Sequence, residues 1–289
     1  MTGSEPYSYR KTVKSDKSDE LVNTFLVRPI AGQIVRLLYR SSVTPNQVTI
    51  AALITGLASA AAYAVGQPAM TIVGGCLLWL KDILDSADGQ LARAKGTYSR
   101  AGRFLDSIGD LIVNAAVFAA ISAVLAHQVG SSWLIVGGIA CFAGTTLRIS
   151  YHVFYQVSSL HLENTYAMNR TDEEVREEDL LGSPLEIRLQ KLYQLFYGWQ
   201  DRWMAHLDAW CRHHLPDARL KDWYSDGTAL RISGFMGMGT ELFVLALLSV
   251  LNALEFYLGV NLLVQNGIWI GCVVYRRVIL AGRLRAEVR

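Results

Sequence analysis

Six apolar runs, each near the ~20 residues that a bilayer's hydrocarbon layer demands, leave this 289-residue chain few ways to fold. They lie at about Gln47 to Val65, Ala69 through Leu80 into an acidic stretch, Gly102 to Leu125, Trp133 to Tyr155, Ile232 to Leu251 and Tyr257 to Leu280. Charged residues make up 18% of the chain, against ~25% in a soluble domain, and 52% are hydrophobic. The expected fold is therefore all-α and integral to a membrane. It has six transmembrane helices, an N-terminal interfacial amphipathic helix, and a helical cytoplasmic insertion between spans 4 and 5.

Lys and Arg set the expected orientation. The links at 66–68, 126–132 and 252–256 carry neither residue. The N-terminal arm, the link with Arg93, Lys95, Arg100 and Arg103, the 156–231 connection and the Arg-rich tail are all basic. The two sets alternate, so both termini are expected in the cytoplasm. Four divisions follow: an arm and interfacial helix at 1–43, spans 1–4 at 44–155, a surface helical insertion at 156–231, and spans 5–6 with a basic tail at 232–289.

Local signals fill in these divisions. Residues 1–17 are polar and basic. From Asp19 to Tyr39, apolar residues at Leu21, Phe25, Ile30, Ile34, Leu37 and Leu38 alternate with Arg28 and Arg36, and Pro29 predicts a kink. Thr44-Pro45 predicts a helix start, as does Ser183-Pro184 with Glu186. Between them lies an acidic run, Asp172 to Asp179. Leu185, Leu189, Leu192, Phe196, Trp199, Trp203, Leu207 and Trp210 then form one Trp-rich stripe, which predicts a second helix on the membrane surface. The net charge of +2 argues against nucleic acid as a partner. The four cysteines have no ligand spacing, and His206, Cys211, His213 and His214 form no tetrahedral zinc set.

The second and third runs hold four carboxylates, Asp85, Asp88, Asp106 and Asp110. Ionisable groups in such a setting are expensive. Asp85 lies sixteen residues into its run, or about 24 Å at 1.5 Å per residue, which places it near the cytoplasmic boundary. Asp85, Asp88 and Ala92 share one helical face, and Gly102, Asp106 and Asp110 share another. Two helices joined by a short link bring those faces together. Converging anions call for a multivalent cation, and all-carboxylate ligands select hard ions such as Mg²⁺, Mn²⁺ or Ca²⁺. Gly89 and Ala92 leave room beside it, and Arg93 is suited to phosphate. The set suggests a metal-held diphosphate and displacement at phosphorus.

The pattern Asp85-x2-Asp88-Gly89-x2-Ala92-Arg93-x8-Gly102-x3-Asp106-x3-Asp110 resembles, at every fixed position, the signature of the CDP-alcohol phosphotransferase (phosphatidyltransferase) family. The resemblance implies transfer of a phosphate-bearing group from a CDP-activated donor to an acceptor alcohol, with release of CMP. It implies Asp85, Asp88, Asp106 and Asp110 as metal ligands for two ions, Mg²⁺ or Mn²⁺, and Asp110 also as general base. Gly89, Ala92, Arg93 and Gly102 match nucleotide-contacting positions, and Asn46 and Thr49 match a family element that helps hold the nucleotide. A homodimer is implied by the resemblance alone. The 156–231 connection is longer than in small family members.

Within that reading, CDP-diacylglycerol gives its phosphatidyl group to a soluble alcohol, favoured because the basic residues near the cavity suit a phosphorylated soluble acceptor. The alternative is a soluble CDP-alcohol giving its headgroup to a lipid hydroxyl. Lys81, Arg148, His152, Arg231, Arg276 and Arg277 lie at expected cytoplasmic span ends, and Arg148 and Arg231 are the candidates for an acceptor or lipid phosphate. Glu241, Gln265 and Asn266 read as interhelical polar contacts. A divalent-cation transporter would need carboxylates at mid-membrane and a polar path outward, and the outer halves of the runs are almost purely apolar.

Overall fold

The computed structural model describes residues 7–9, 12, 20–162, 173–177, 179 and 183–287. Most of the 1–17 arm, and Asp172 and Glu178 of the acidic run, lie outside the described residues. All regular structure among the described residues is helical. The elements are α1 (Arg28–Leu38), α2 (Pro45–Ala64), α3 (Pro68–Lys95), α4 (Arg100–Val129), α5 (Trp133–Leu162), α6 (Pro184–Cys211), α7 (Leu220–Tyr224), α8 (Gly227–Gly234) and α9 (Met238–Val250). A last helix runs through Leu254–Ala286, widened into π-turns at Val260–Gln265 and Tyr275–Leu280.

Five of these segments are long and apolar enough to cross a membrane: α2, α4, α5, Gly227–Val250 and Leu254–Ala286. The remaining run, second in the sequence, corresponds to α3. It is 28 residues long, but Lys81, Asp82, Asp85 and Asp88 break its apolar course.

Local chemistry explains the helix ends. Thr44 accepts from the Gln47 amide, and the Gln47 side chain accepts from the Thr44 amide, so α2 opens with a capping box and Pro45 in its first turn. Ser99 caps α4 through the Gly102 amide, and Ser183 caps α6 through the Glu186 amide. α3 ends at Gly96, whose φ of 63° is costly for any residue with a side chain. Only Thr97, Tyr98 and Ser99 then separate α3 from α4, and α2 packs against both acidic helices.

α3 is central, packing on α1, α2 and α9. Its approach to α9 is close at Gly75, where a Cβ would lie 2.8 Å from the Ser249 Cβ and 3.0 Å from the Ala246 carbonyl oxygen. Tyr63 of α2 joins the same contact by a 2.7 Å hydrogen bond to Ser249.

Two helices show their apolar side outward. α1 buries Val27, Ala31 and Val35 against Ile83, Ala87 and Leu91 of α3, while Phe25 and Leu37 are 70% and 80% exposed. Pro29 sits in the first turn of α1, just after a π-helical turn at Asn23–Val27. The wide turn accommodates the missing N–H and takes the place of a mid-helix kink. α6 buries Gln190, Gln200, Met204, Asp208 and Cys211, and exposes Leu185, Leu195, Trp199 and Trp210. The Trp-rich stripe is thus its outer face, and its inner face is mainly polar.

A buried polar network ties α5, α9 and the last helix. Arg148 Nη2 donates to Thr145 Oγ1 (2.9 Å), Gln265 Oε1 (2.8 Å) and Glu241 Oε2 (3.3 Å), and Nη1 donates to Asn266 Oδ1 (2.5 Å). Asn261 Nδ2 donates to Glu241 Oε1 at 2.6 Å. Removing one partner of such a pair leaves a buried charge uncompensated. Arg148→Met is expected to cost about 3–5 kcal/mol, and adding Glu241→Gln to recover most of that loss. Thermal unfolding of the detergent-solubilised variants measures both.

Candidate active site

The facing sides of α3 and α4 converge as their spacing predicts. One carboxylate oxygen from each of Asp85, Asp88 and Asp106 lies within 4.8 Å of the others. The three border a cavity of about 410 Å³, walled also by Asp110 and by residues of α2, α5 and α6. The Asp106 Oδ1 atom is buried and has no hydrogen-bond partner in the protein. Three hard oxygen donors at this separation, one of them unsatisfied, fit a divalent cation bound by oxygen ligands.

Lys81 lies beneath the cluster. Its ammonium is 3% exposed, pairs with Asp110 Oδ1, and lies 3.4 Å from Asp85 Oδ1. Buried carboxylates repel one another, and an ammonium between two of them offsets part of that cost. Lys81 therefore belongs to the site, not to a phosphate pocket. Its sequence signal is the four-residue step to Asp85, which puts both on one face of α3. Asp82 also reaches the cavity wall and was not singled out by its sequence position.

The small residues line the same cavity. Gly89, Ala92 and Gly102 all reach it, with Arg93 and Asn46. The Arg93 guanidinium lies over Gly89, where a Cβ would come 3.4 Å from Nη1. Arg93 Nε donates to the Thr12 carbonyl oxygen at 2.5 Å. At Gly102 a Cβ would lie 3.0 Å from Ser99 Oγ and 3.1 Å from Asn46 Oδ1, so a side chain there crowds both. Thr49 stands behind the cluster and donates to Asp88 Oδ2, which orients that carboxylate.

The cavity's far wall comes from the insertion. Tyr193, Tyr197 and Asp201 of α6 line it with Ser150 and Gln156 of α5. The Tyr197 hydroxyl donates to the Ser107 carbonyl oxygen at 2.9 Å, which locks α6 onto α4 three residues before Asp110. Nothing in the sequence marks these positions, because the stripe on the opposite face of α6 dominates its pattern.

Arg148 and Arg231, the expected phosphate-binding candidates, do not line this cavity. Arg148 is wholly buried and committed to the network with Glu241, Gln265 and Asn266. Arg231 is exposed on α8. His152 and Arg276 are also buried elsewhere, His152 beside Ser233 and Arg276 over the Tyr155 ring.

Residues 42–168 match the model of the CDP-alcohol phosphatidyltransferase family. A phosphatidylinositol phosphate synthase of Mycobacteroides abscessus is 34% identical over 122 residues, 42% of this chain and 54% of that protein. A bifunctional IPC transferase and DIPP synthase of Thermococcus kodakarensis is 36% identical over 109 residues, 38% of this chain and 24% of that protein. An archaetidylinositol phosphate synthase of Pyrococcus horikoshii is 41% identical over 96 residues, 32% of this chain and 49% of that protein. These matches span between a quarter and about half of the relatives' own length. The crystal structure of the Mycobacterium tuberculosis phosphatidylinositol phosphate synthase with CDP-DAG bound aligns over 79% of this chain and 94% of that one, at 20% identity and a TM-score of 0.37.

The geometry makes a direct prediction about cation binding. Mn²⁺ followed by electron paramagnetic resonance is expected to bind the purified protein. Asp106→Asn and Asp88→Asn should each weaken it at least tenfold, about 1.4 kcal/mol, and affinities equal to wild type would remove them as ligands.

Proposed function

We propose, from the match of residues 42–168 to the CDP-alcohol phosphatidyltransferase family, that the protein transfers a phosphatidyl group from CDP-diacylglycerol to the hydroxyl of an acceptor alcohol, releasing CMP. The observation that carries this reading is the convergence of Asp85, Asp88 and Asp106 on one cavity inside the matched segment.

Asp85, Asp88 and Asp106 would hold the metal, Mg²⁺ or Mn²⁺, with Asp110 completing a two-ion site. When bound, the metal neutralises charge on the donor diphosphate. Arg93 adds a planar, permanently charged donor to that diphosphate. Gly89, Ala92 and Gly102 admit the cytidine end without a side chain in its path. Asn46 reaches the nucleotide from the start of α2, and Thr49 acts at one remove, by orienting Asp88.

Asp110 is the proposed base. Lys81 fixes one of its oxygens, which holds the carboxylate at the cavity wall. The acceptor oxygen attacks the phosphorus that bears diacylglycerol. As that P–O bond forms, the bond to the CMP oxygen breaks, Asp110 takes the acceptor's proton, and CMP leaves with the electron pair.

A lipid donor requires the site to open at the membrane surface. The reading therefore includes α3 as a sixth span, with both termini and the cavity on the cytoplasmic side, as the Lys and Arg distribution favours. The outward apolar faces of α1 and α6 support their lying in the interface. A homodimer rests on resemblance alone.

CMP release from CDP-diacylglycerol in vesicles, with a panel of soluble alcohols and Mg²⁺ or Mn²⁺, tests the reaction. Turnover should vanish on chelation. Asp110→Asn should lower it by about 10²–10⁴ while CDP-diacylglycerol still binds. Metal-independent turnover, or release only from a soluble CDP-alcohol with diacylglycerol as acceptor, would overturn it.

A further inference from the structure

The wall that faces Asp110 is built by the insertion, and its charge is unlike that of a phosphate pocket. Arg103 is the cation of α4 that reaches the cavity, and Arg100 lies one turn away. Both are held by carboxylates of the 173–179 segment. Arg100 Nη2 lies 2.8 Å from Glu173 Oε2 and its Nη1 2.5 Å from Asp179 Oδ1, and Arg103 Nη2 pairs with Glu173 Oε1.

These carboxylates are fixed in place. Glu173 and Asp179 are both buried. Gln190 Nε2 donates to the Glu173 carbonyl oxygen (3.1 Å) and to Asp179 Oδ2 (3.0 Å), and Gln194 Nε2 donates to the Glu173 carbonyl oxygen (2.8 Å). The arginines are pinned in turn by stacking of Arg103 over the Phe104 ring, 4.9 Å from its centroid. A phosphate entering here would have to displace a buried carboxylate that bridges both arginines.

The rest of this wall offers hydrogen bonds without positive charge. Tyr193 and Tyr197 stack at 4.8 Å, Asp201 follows one turn later, and Ser150 and Gln156 face them from α5. Burial pushes both tyrosine hydroxyls up from the ordinary phenol range, so both stay neutral. The remaining cations on the cavity wall stand elsewhere, Arg93 over Gly89 and Arg28 on α1.

We propose that the acceptor is a hydroxyl compound bearing no phosphate, and that Glu173 and Asp179 are specificity-determining residues that reject phosphorylated acceptors by occupying Arg100 and Arg103. The inference rests on the transferase reading above and reverses the preference for a phosphorylated acceptor that the basic residues of the sequence suggest. Specificity of this kind works by penalising the wrong ligand as much as by holding the right one.

The test compares kcat/KM for CMP release with myo-inositol, glycerol and serine against inositol phosphate and glycerol phosphate, using the full chain and CDP-diacylglycerol vesicles. An unphosphorylated acceptor should exceed every phosphorylated one by at least tenfold. Glu173→Gln, which keeps size and most hydrogen bonds, should shift the ratio of phosphorylated to free acceptor upward by about tenfold, and Asp179→Asn should do the same. General damage would lower both rates and leave their ratio unchanged, which overturns the role of the two residues. A wild-type preference for a phosphorylated acceptor, or equal use of both classes, overturns the inference while leaving the transferase reading intact. CMP release with no acceptor at all would defeat both.

Discussion

An ammonium buried between two acidic helices is the interaction on which the rest of the structure depends. Asp85, Asp88, Asp106 and Asp110 are brought together by a three-residue link and a Gly96 turn, and their mutual repulsion opposes that approach. Lys81 counters it from below through Asp110 and Asp85. Its aliphatic stem needs a close-packed neighbour, and α2 provides one at Gly56, where a Cβ would lie 3.2 Å from Lys81 Cγ. The same helix delivers Thr49 to Asp88. The packing of α2 on both α3 and α4 therefore holds the anions close together, and apolar burial around it offsets the free energy that their repulsion costs.

Polarity is inverted in the elements that surround this centre. In a soluble protein, the Trp-rich side of α6 would face the core and Gln190, Gln200 and Asp208 would face water. Here the polar side is inside, where Asp208 accepts from Tyr155, Trp223 and Tyr224 hydroxyl and indole groups, and Gln200 accepts from Ser150 at 2.6 Å. Such an arrangement favours an outer face that meets an apolar medium. It also has a use at the site, because an inward polar face on α6 gives the cavity hydrogen-bonding groups that membrane-spanning helices supply sparingly.

What the sequence disclosed follows the range of each interaction. The N-caps at Thr44 and Ser183 are formed within three residues and were legible as helix starts. The convergence of the acidic faces of α3 and α4 was legible because helical period fixes them and a short link joins them. Lys81 was ambiguous, since a lysine at the end of a span satisfies orientation statistics as well as an ion pair. Arg148 was misleading for the same reason, and its partners Glu241, Gln265 and Asn266 lie 93 to 118 residues away. α3 was half-legible: its length suits a crossing, but Lys81, Asp82, Asp85 and Asp88 spoil its apolar run.

The two halves of the cavity come from different stretches of chain, and this separation has a chemical consequence. The aspartates and small residues all fall inside the segment 42–168 that matches the family. The wall opposite the proposed base comes from Glu173 onward. Their polar contacts beside the cavity include the Tyr197 hydroxyl on the Ser107 carbonyl, Ser150 on Gln200, and the carboxylates of Glu173 and Asp179 on Arg100 and Arg103. None of these contacts engages an aspartate of the cluster. Changes of charge between 173 and 201 therefore alter which acceptor fits without moving the groups proposed to bind the metal and the nucleotide. A long insertion at this position is a means of setting acceptor choice independently of the phosphoryl chemistry.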